Sequence, residues 1–153
     1  PMMVQLLIMG FVIFKSSRNF TLVGSLTLGF NSGAYVAEII RGGLMSLDPG
    51  QAEAGRSLGL NYFDTMRFIV IPQAFKAILP ALCNEFITLL KETSVAFYIG
   101  VADLTRAGIK IRSITYSNFM PLVAVALVYL VLVLVLTKLV GILERRLRKS
   151  DNR

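Results

Sequence analysis

DPGQAEAGRSLGLNYFDTMRFIVIPQAFKAILP, running from Asp48 to Pro80, is the stretch on which the reading of the whole chain turns. It is a polar insert, punctuated by helix signals, between strongly apolar segments. Asp48 can cap a helix whose first residue is Pro49, where a missing N–H costs nothing, and Gln51 follows three residues after the cap, as a capping box prefers. Gly59 is placed to end that helix in the left-handed conformation, and Asn61 can cap a second one, NYFDTMRFIVIP, running to a break at Pro72. The expectation is a helix–turn–helix pair. In its first helix Ala52, Ala54, Gly55 and Ser57 are small enough for another surface to approach the backbone closely, while Glu53 and Arg56 offer charges. An ordinary amphipathic surface pair would carry the same signals; the sharper reading is a knob on which an aqueous partner docks.

The surroundings are those of a membrane protein. Of 153 residues 55% are hydrophobic and 16% charged, with a mean hydropathy of +0.68, where an average globular chain has about 25% charged residues. The net charge of +7 is not interleaved with aromatics on a solvated face, so nucleic acid is not the expected partner. One cysteine, Cys83, and no histidine exclude disulfides within the chain, Cys/His metal sites and His-dependent catalytic triads. No catalytic residue and no metal ligand is expected.

Taken in order, Pro1 to Phe14 reads as the outer half of a helix, since a span needs about 20 apolar residues. Lys15 to Asn19 is a short polar hairpin. Phe20 to about Ile40 is long enough to cross, and its Gly24, Ser25, Gly29, Ser32, Gly33 and Ala34 are of the kind that lets membrane helices pack closely; Glu38, near its end, reaches the interface or finds a partner. Leu79 to Gly100 is the most polar span. Asn84, Glu85, Thr88, Lys91 and Glu92 lie within or beside its hydrocarbon region, where each charge costs roughly 3 kcal/mol. Glu85, Thr88 and Glu92 share one helical face, and Asn84, Thr88 and Lys91 an overlapping one. These groups either brace neighbouring helices or line a polar translocation path. Val101 to Ser117 reads as an interfacial helix or loop on the outer side, Asn118 to about Gly141 as the clearest span, and ILERRLRKSDNR as a solvated basic tail.

Positive charge sets the orientation. The central polar segment (Arg41, Arg56, Arg67, Lys76) and the tail (Lys138, Arg145, Arg146, Arg148, Lys149, Arg153) hold ten basic residues; the opposite side (Lys15, Arg18, Arg106, Lys110, Arg112) holds five. The richer set belongs in the cytoplasm.

Glu53-Ala54-Gly55, three residues, Gly59, nine residues, then Ile69-Val70-Ile71-Pro72 resembles the EAA loop of the membrane subunits of bacterial ABC importers, whose pattern is EAA-x3-G-x9-I-x-LP. Gly55 stands for the second Ala and Ile71 for Leu. NSGAYVAEIIRGG from Asn31 to Gly43, GQAEAGRSLGL, IPQAFKAILPALCNEFITLLKETS from Ile71 to Ser94 and the closing LVYL and LERRL look like the polar amino acid subfamily, the permeases for histidine, basic amino acids, glutamine or glutamate. The resemblance implies an all-α, polytopic type I importer fold, with about three complete spans and a partial N-terminal one. It implies a single transmembrane domain over residues 1–153, carrying the cytoplasmic coupling loop over 42–78, and roughly one and a half further helices before Pro1. It also implies that Gln51, Glu53, Ala54, Gly55, Arg56, Gly59 and Pro72 serve coupling to a cytoplasmic ATPase dimer, and that the chain sits in the bacterial cytoplasmic (inner) membrane. The remaining partners would be a second permease, identical or homologous, an extracytoplasmic substrate-binding protein and the lipid bilayer.

The chain has no Gly-x-x-x-x-Gly-Lys-Ser/Thr phosphate loop, so ATP would be bound and hydrolysed by the partner and no cofactor is expected here. The function implied is that of a permease subunit of an ATP-dependent importer of polar amino acids, not itself an enzyme. A non-transporting membrane scaffold, or a truncated remnant of such a permease, is the alternative.

Overall fold

The computed structural model describes the backbone of residues 1–151 and the side chains as far as Leu147; of the tail cations counted above, Arg153 lies outside the described residues, as do the side chains of Arg148 and Lys149. Among the described residues there is no strand. Seven α-helices follow one another: α1 Met2–Ile8, α2 Phe20–Met45, α3 Pro49–Ser57, α4 Tyr62–Thr65, α5 Ile71–Glu92, α6 Leu104–Thr115 and α7 Phe119–Asp151. A π turn, Met9–Ile13, extends α1; a second, Met66–Val70, joins α4 to α5; and a 3-10 segment, Thr93–Ile99, extends α5.

The helix expected to stop at Pro72 does not stop there. Tyr62–Ile99 is one continuous helical run of 38 residues. A proline removes one N–H and its ring crowds the carbonyl four residues back. Here the turn before it is already opened to π spacing, with the Ile71 N–H bonded to the Met66 carbonyl, and the wider turn accommodates the ring.

Two helical runs, Tyr62–Ile99 and Phe119–Leu147, are both long and apolar enough to cross a bilayer. Only 11% and 6% of their apolar windows are buried, so neither is the core helix of a soluble protein; their surfaces suit lipid or other helices. α2, with 26 residues, would reach about 39 Å at 1.5 Å per residue. Length therefore suffices, but Asn31 and the run of Gly and Ser residues hold its hydropathy below that of the other two.

The chain divides into two compact units. The first comprises Pro1–Gly33 and Phe86–Leu139. Its core is Leu6, Val23 and Ile99, ringed by Met2, Leu7, Met9, Phe14, Val95 and Val101. Within this unit Gly24 lets α2 approach Val101, since a Cβ there would stand 3.1 Å from Val101 Cγ2, and α6 lies on α7 through Gly108 against Val125. Asp103 caps α6, its Oδ1 accepting from the Arg106 N–H at 2.7 Å. Of the small residues expected to pack in α2, Gly24 and Ser32 are buried, whereas Ser25, Gly29, Gly33 and Ala34 are exposed.

The second unit comprises Ala34–Glu85 and Val140–Arg153. Here the end of α2 meets α5 through Gly43 against Ile78, and Ala74 and Ile78 are buried. Glu38 and Arg41 face each other at 4.0 Å with both side chains exposed, a contact worth little. The polar insert belongs wholly to this unit.

Candidate functional site

α3 is fixed at both ends by its own sequence. At its start the Asp48 carboxylate Oδ1 accepts from the Gly50 N–H at 2.8 Å, supplying one of the acceptors that the first helical turn lacks. At its end Gly59 has φ +80°, a conformation that a side chain with a Cβ resists. The Gly59 N–H bonds to the Arg56 carbonyl at 2.9 Å and the Leu60 N–H to the Gly55 carbonyl at 3.1 Å. This paired pattern is a Schellman cap, which turns the chain sharply away from the helix axis. Asn61 then starts α4, its Oδ1 accepting from the Asp64 N–H at 2.9 Å.

Gln51 does not complete a capping box. Its Oε1 accepts instead from Gln73 Nε2 at 3.1 Å, across 22 positions of sequence. The long-range amide pair takes the side chain that a local box would have used, and it ties the first turn of α3 to the first turns of α5.

Gly55 is the inward residue of α3 and is buried. A Cβ on it would lie 2.9 Å from Thr65 Cγ2 and 3.0 Å from Ile69 Cδ1, so the departure from Ala at this position has a local cause: α3 rests directly on the α4–π segment. Thr65 beneath it is only 4% exposed. Glu53, Ala54, Arg56 and Ser57 face outward. Glu53 and Arg56 stand 4.0 Å apart with side chains 69% and 68% exposed, which leaves both charges available to another surface. Pro72 is exposed on the run that follows, on the far side of the π turn.

Around this knob lies apolar surface that helix signals alone do not reveal. Leu58 and Tyr62 are each 80% exposed and Phe63 is 67% exposed. A cavity of about 480 Å³ opens beside them, with Ala52, Arg56, Leu60, Tyr62 and Met66 among its walls. Large apolar side chains next to a turn connecting two polar-capped helices are the signal in the sequence that marked this surface.

On α5 the five polar residues separate into two groups. Asn84, Thr88 and Lys91, at i, i+4 and i+7, are exposed, whereas Glu85 and Glu92 are half-buried. Thr88 therefore belongs with Asn84 and Lys91 and not with the two carboxylates. Glu85 already has an interaction partner in the chain. Thr93, at the start of the 3-10 segment, turns its hydroxyl back to the Leu90 carbonyl at 2.7 Å.

Fold and site together define a membrane component, helical throughout its described elements, that carries a doubly capped polar knob in the segment between its apolar helices. The chain belongs to the family of binding-protein-dependent transport system inner membrane components, which matches residues 1–149. It is 40% identical over 156 residues to the arginine transport system permease protein ArtQ of Bacillus subtilis, a match covering 99% of this chain and 70% of that protein. It is 44% identical over 126 residues to the glutamine transport system permease protein GlnP of Escherichia coli, covering 80% of this chain and 56% of the relative. A crystal structure of an amino acid ABC transporter with histidines superposes with a TM-score of 0.90 at 48% identity, covering 95% of this chain and 69% of the other. The chain thus spans between about half and seven-tenths of the relatives it matches.

Proposed function

We propose that the chain is the membrane-spanning permease subunit of an ATP-dependent importer of polar amino acids, and that α3 is the element through which a separate cytoplasmic ATPase drives it. The observation that carries this reading is the construction of α3. It is locked by Asp48 at one end and by the Gly59 cap at the other, seated on Thr65 and Ile69 through Gly55, and tied to α5 through Gln51 and Gln73. An element held at four points moves as a body. A push on its exposed Glu53, Ala54 and Arg56 face would therefore be passed to the long helix instead of being absorbed locally. Leu58, Tyr62 and the neighbouring cavity offer the apolar contact that such docking also needs.

The names of the relatives, for arginine and for glutamine, support polar amino acids as the cargo class. The excess of positive charge on α3, its flanks and the tail supports a cytoplasmic position for the knob in an inner membrane. A second permease and an extracytoplasmic binding protein complete the assembly. Asn84, Thr88 and Lys91, a polar exposed row on an otherwise apolar helix, suit the wall of the path, and Glu85 and Glu92 suit bracing beside it. A transported amino acid carries a carboxylate and an ammonium; Lys91 can meet the first, and the Asn84 and Thr88 oxygens can accept from the second.

Affinity purification of the full-length protein from its native membrane is the test. The reading expects a stoichiometric ABC ATPase that is lost when Glu53 and Arg56 are both replaced by alanine. Recovery of the permease without any ATPase would favour the alternative of a non-transporting scaffold.

A further inference from the structure

In the first unit α6 folds back along the start of α7. Gly108 meets Val125, and the Arg112 Nε–H donates to Asn118 Oδ1 at 2.8 Å, so the two helices run antiparallel. Beside the Gly108 contact a groove of about 450 Å³ opens, with Ala107, Ile111, Met120, Ala124 and Val128 in its walls. All five side chains are apolar and exposed. The end of the groove nearest the turn has a different character. Arg112 lies one turn before the lining residue Thr115, and its bond to Asn118 holds the guanidinium beside the lining residue Ser117. One of its five N–H donors is used there, which leaves the others for another acceptor. Among the described residues no carboxylate stands within ion-pair distance of it. Tyr116 and Phe119 are exposed on the same turn, and exposed aromatic side chains at the end of a span mark the headgroup level of a bilayer.

We propose that this groove seats one acyl chain of an anionic phospholipid, with the lipid phosphate held by Arg112. The dimensions agree. α6 has 12 residues, about 18 Å at 1.5 Å per residue, against about 15 Å for one leaflet of the hydrocarbon core. A chain anchored at Arg112 would therefore run down the groove as far as its leaflet extends. Charge separates this occupant from the others. A second apolar helix laid on the groove would cover the guanidinium without supplying an anion, and a covered, unpaired charge is costly. A phospholipid supplies the hydrocarbon and, at its head, a phosphate that matches the guanidinium fork. A zwitterionic lipid brings its own cation to the same place, so the anionic kind is preferred. The inference goes beyond the permease reading and needs only that α7 crosses the bilayer with its Phe119 end at one surface.

Photolabelling of the full-length permease tests this directly. The protein is reconstituted in phosphatidylcholine vesicles containing a trace of phosphatidylglycerol with a diazirine in its acyl chain, or a trace of the matching phosphatidylcholine probe, and adducts are mapped by peptide mass spectrometry. The groove residues Ile111, Ala124 and Val128 should be labelled roughly fivefold more heavily by the anionic probe, while Leu134, exposed further along α7, should be labelled alike by both. Arg112→Gln should erase the difference. Ala124→Leu fills the groove without touching the cation; it should lower groove labelling by both probes and keeps the test valid where the arginine variant inserts poorly. Equal groove labelling by the two probes, a preference that survives Arg112→Gln, or labelling unmoved by Ala124→Leu would each overturn the proposal. So would an unlabelled groove in which Ala124→Cys, with Cys83 replaced, forms a disulfide to a second permease copy, since a protein helix would then occupy it.

Discussion

Gln73 Nε2 donates to Gln51 Oε1 at 3.1 Å, joining two helices that are 22 residues apart in the chain. The pair is exposed, so its strength is that of a neutral hydrogen bond in water, about 0.5–1.5 kcal/mol net. Its value is positional. Without it α3 would still rest on Thr65 and Ile69, but its first turn would be free to lift. Replacing either Gln51 or Gln73 by alanine should speed amide exchange in α3 by roughly fivefold, for a loss of about 1 kcal/mol in local opening energy. The double replacement should add nothing further. Full additivity in this double-mutant cycle would show that the two side chains do not act together.

Gly55 makes a second forecast about the same seat. A Cβ there would stand 2.9 Å from Thr65 Cγ2 and 3.0 Å from Ile69 Cδ1, closer than van der Waals contact. Gly55→Ala restores the residue of the wider EAA pattern, yet it should destabilise this protein by about 1 kcal/mol or more through overpacking. Thr65→Ala in the same chain should relieve most of that loss. Thermal unfolding of the single and double variants decides it, and an undisturbed melting temperature for Gly55→Ala alone would mean that α3 sits more loosely than described.

Orientation is open to chemical labelling. Ser57, in α3, and Ser113, in α6, are both exposed. A Ser57→Cys protein, with Cys83 replaced, should react with an impermeant thiol reagent only from the cytoplasmic side, and a Ser113→Cys protein only from outside. The reverse pattern would overturn the charge-based topology and detach α3 from any cytoplasmic ATPase.

Much of this architecture could be read from the chain itself, where the deciding physics is local. The Asp48, Gly59 and Asn61 caps depend on residues at most five positions apart, and all three form as their spacing implies. What escaped reading depends on distant partners. Pro72 looked like a terminator because a proline in an α-helix usually is one; the π turn that absorbs it has no side-chain signature. Gln51 had the right spacing for a capping box and was claimed instead by Gln73. The small residues of α2 were legible as packing residues, but not which of them would be used: Gly24 meets Val101, while Gly29 and Gly33 meet nothing within 4 Å. Likewise, the helical period places Thr88 near both Glu85 and Lys91, and only the packing of α5 assigns it to the exposed row.

For the path, Glu85→Gln separates the two roles left open for the polar residues of α5. A bracing role predicts weaker assembly, by the 1–3 kcal/mol typical of a broken polar contact, with substrate preference unchanged. A path role predicts an intact complex with altered uptake kinetics or selectivity. Since Glu85 is half-buried and already partnered, bracing is the expected outcome for it, and Lys91→Gln, on the exposed row, is the variant expected to change uptake.

The central claim is that a rigid α3 passes the motion of an ATPase to the spans, and Gly59 tests it most directly. At φ +80° a β-branched residue is strained by about 1–2 kcal/mol, which should loosen the Schellman cap and tilt the knob without disturbing the apolar helices. Full-length permease carrying Gly59→Val, reconstituted in proteoliposomes with its ATPase and binding protein, should insert normally. It should lose most ATP-dependent amino acid uptake together with substrate-stimulated ATP hydrolysis. Uptake and stimulated hydrolysis both equal to those of the parent would contradict the account.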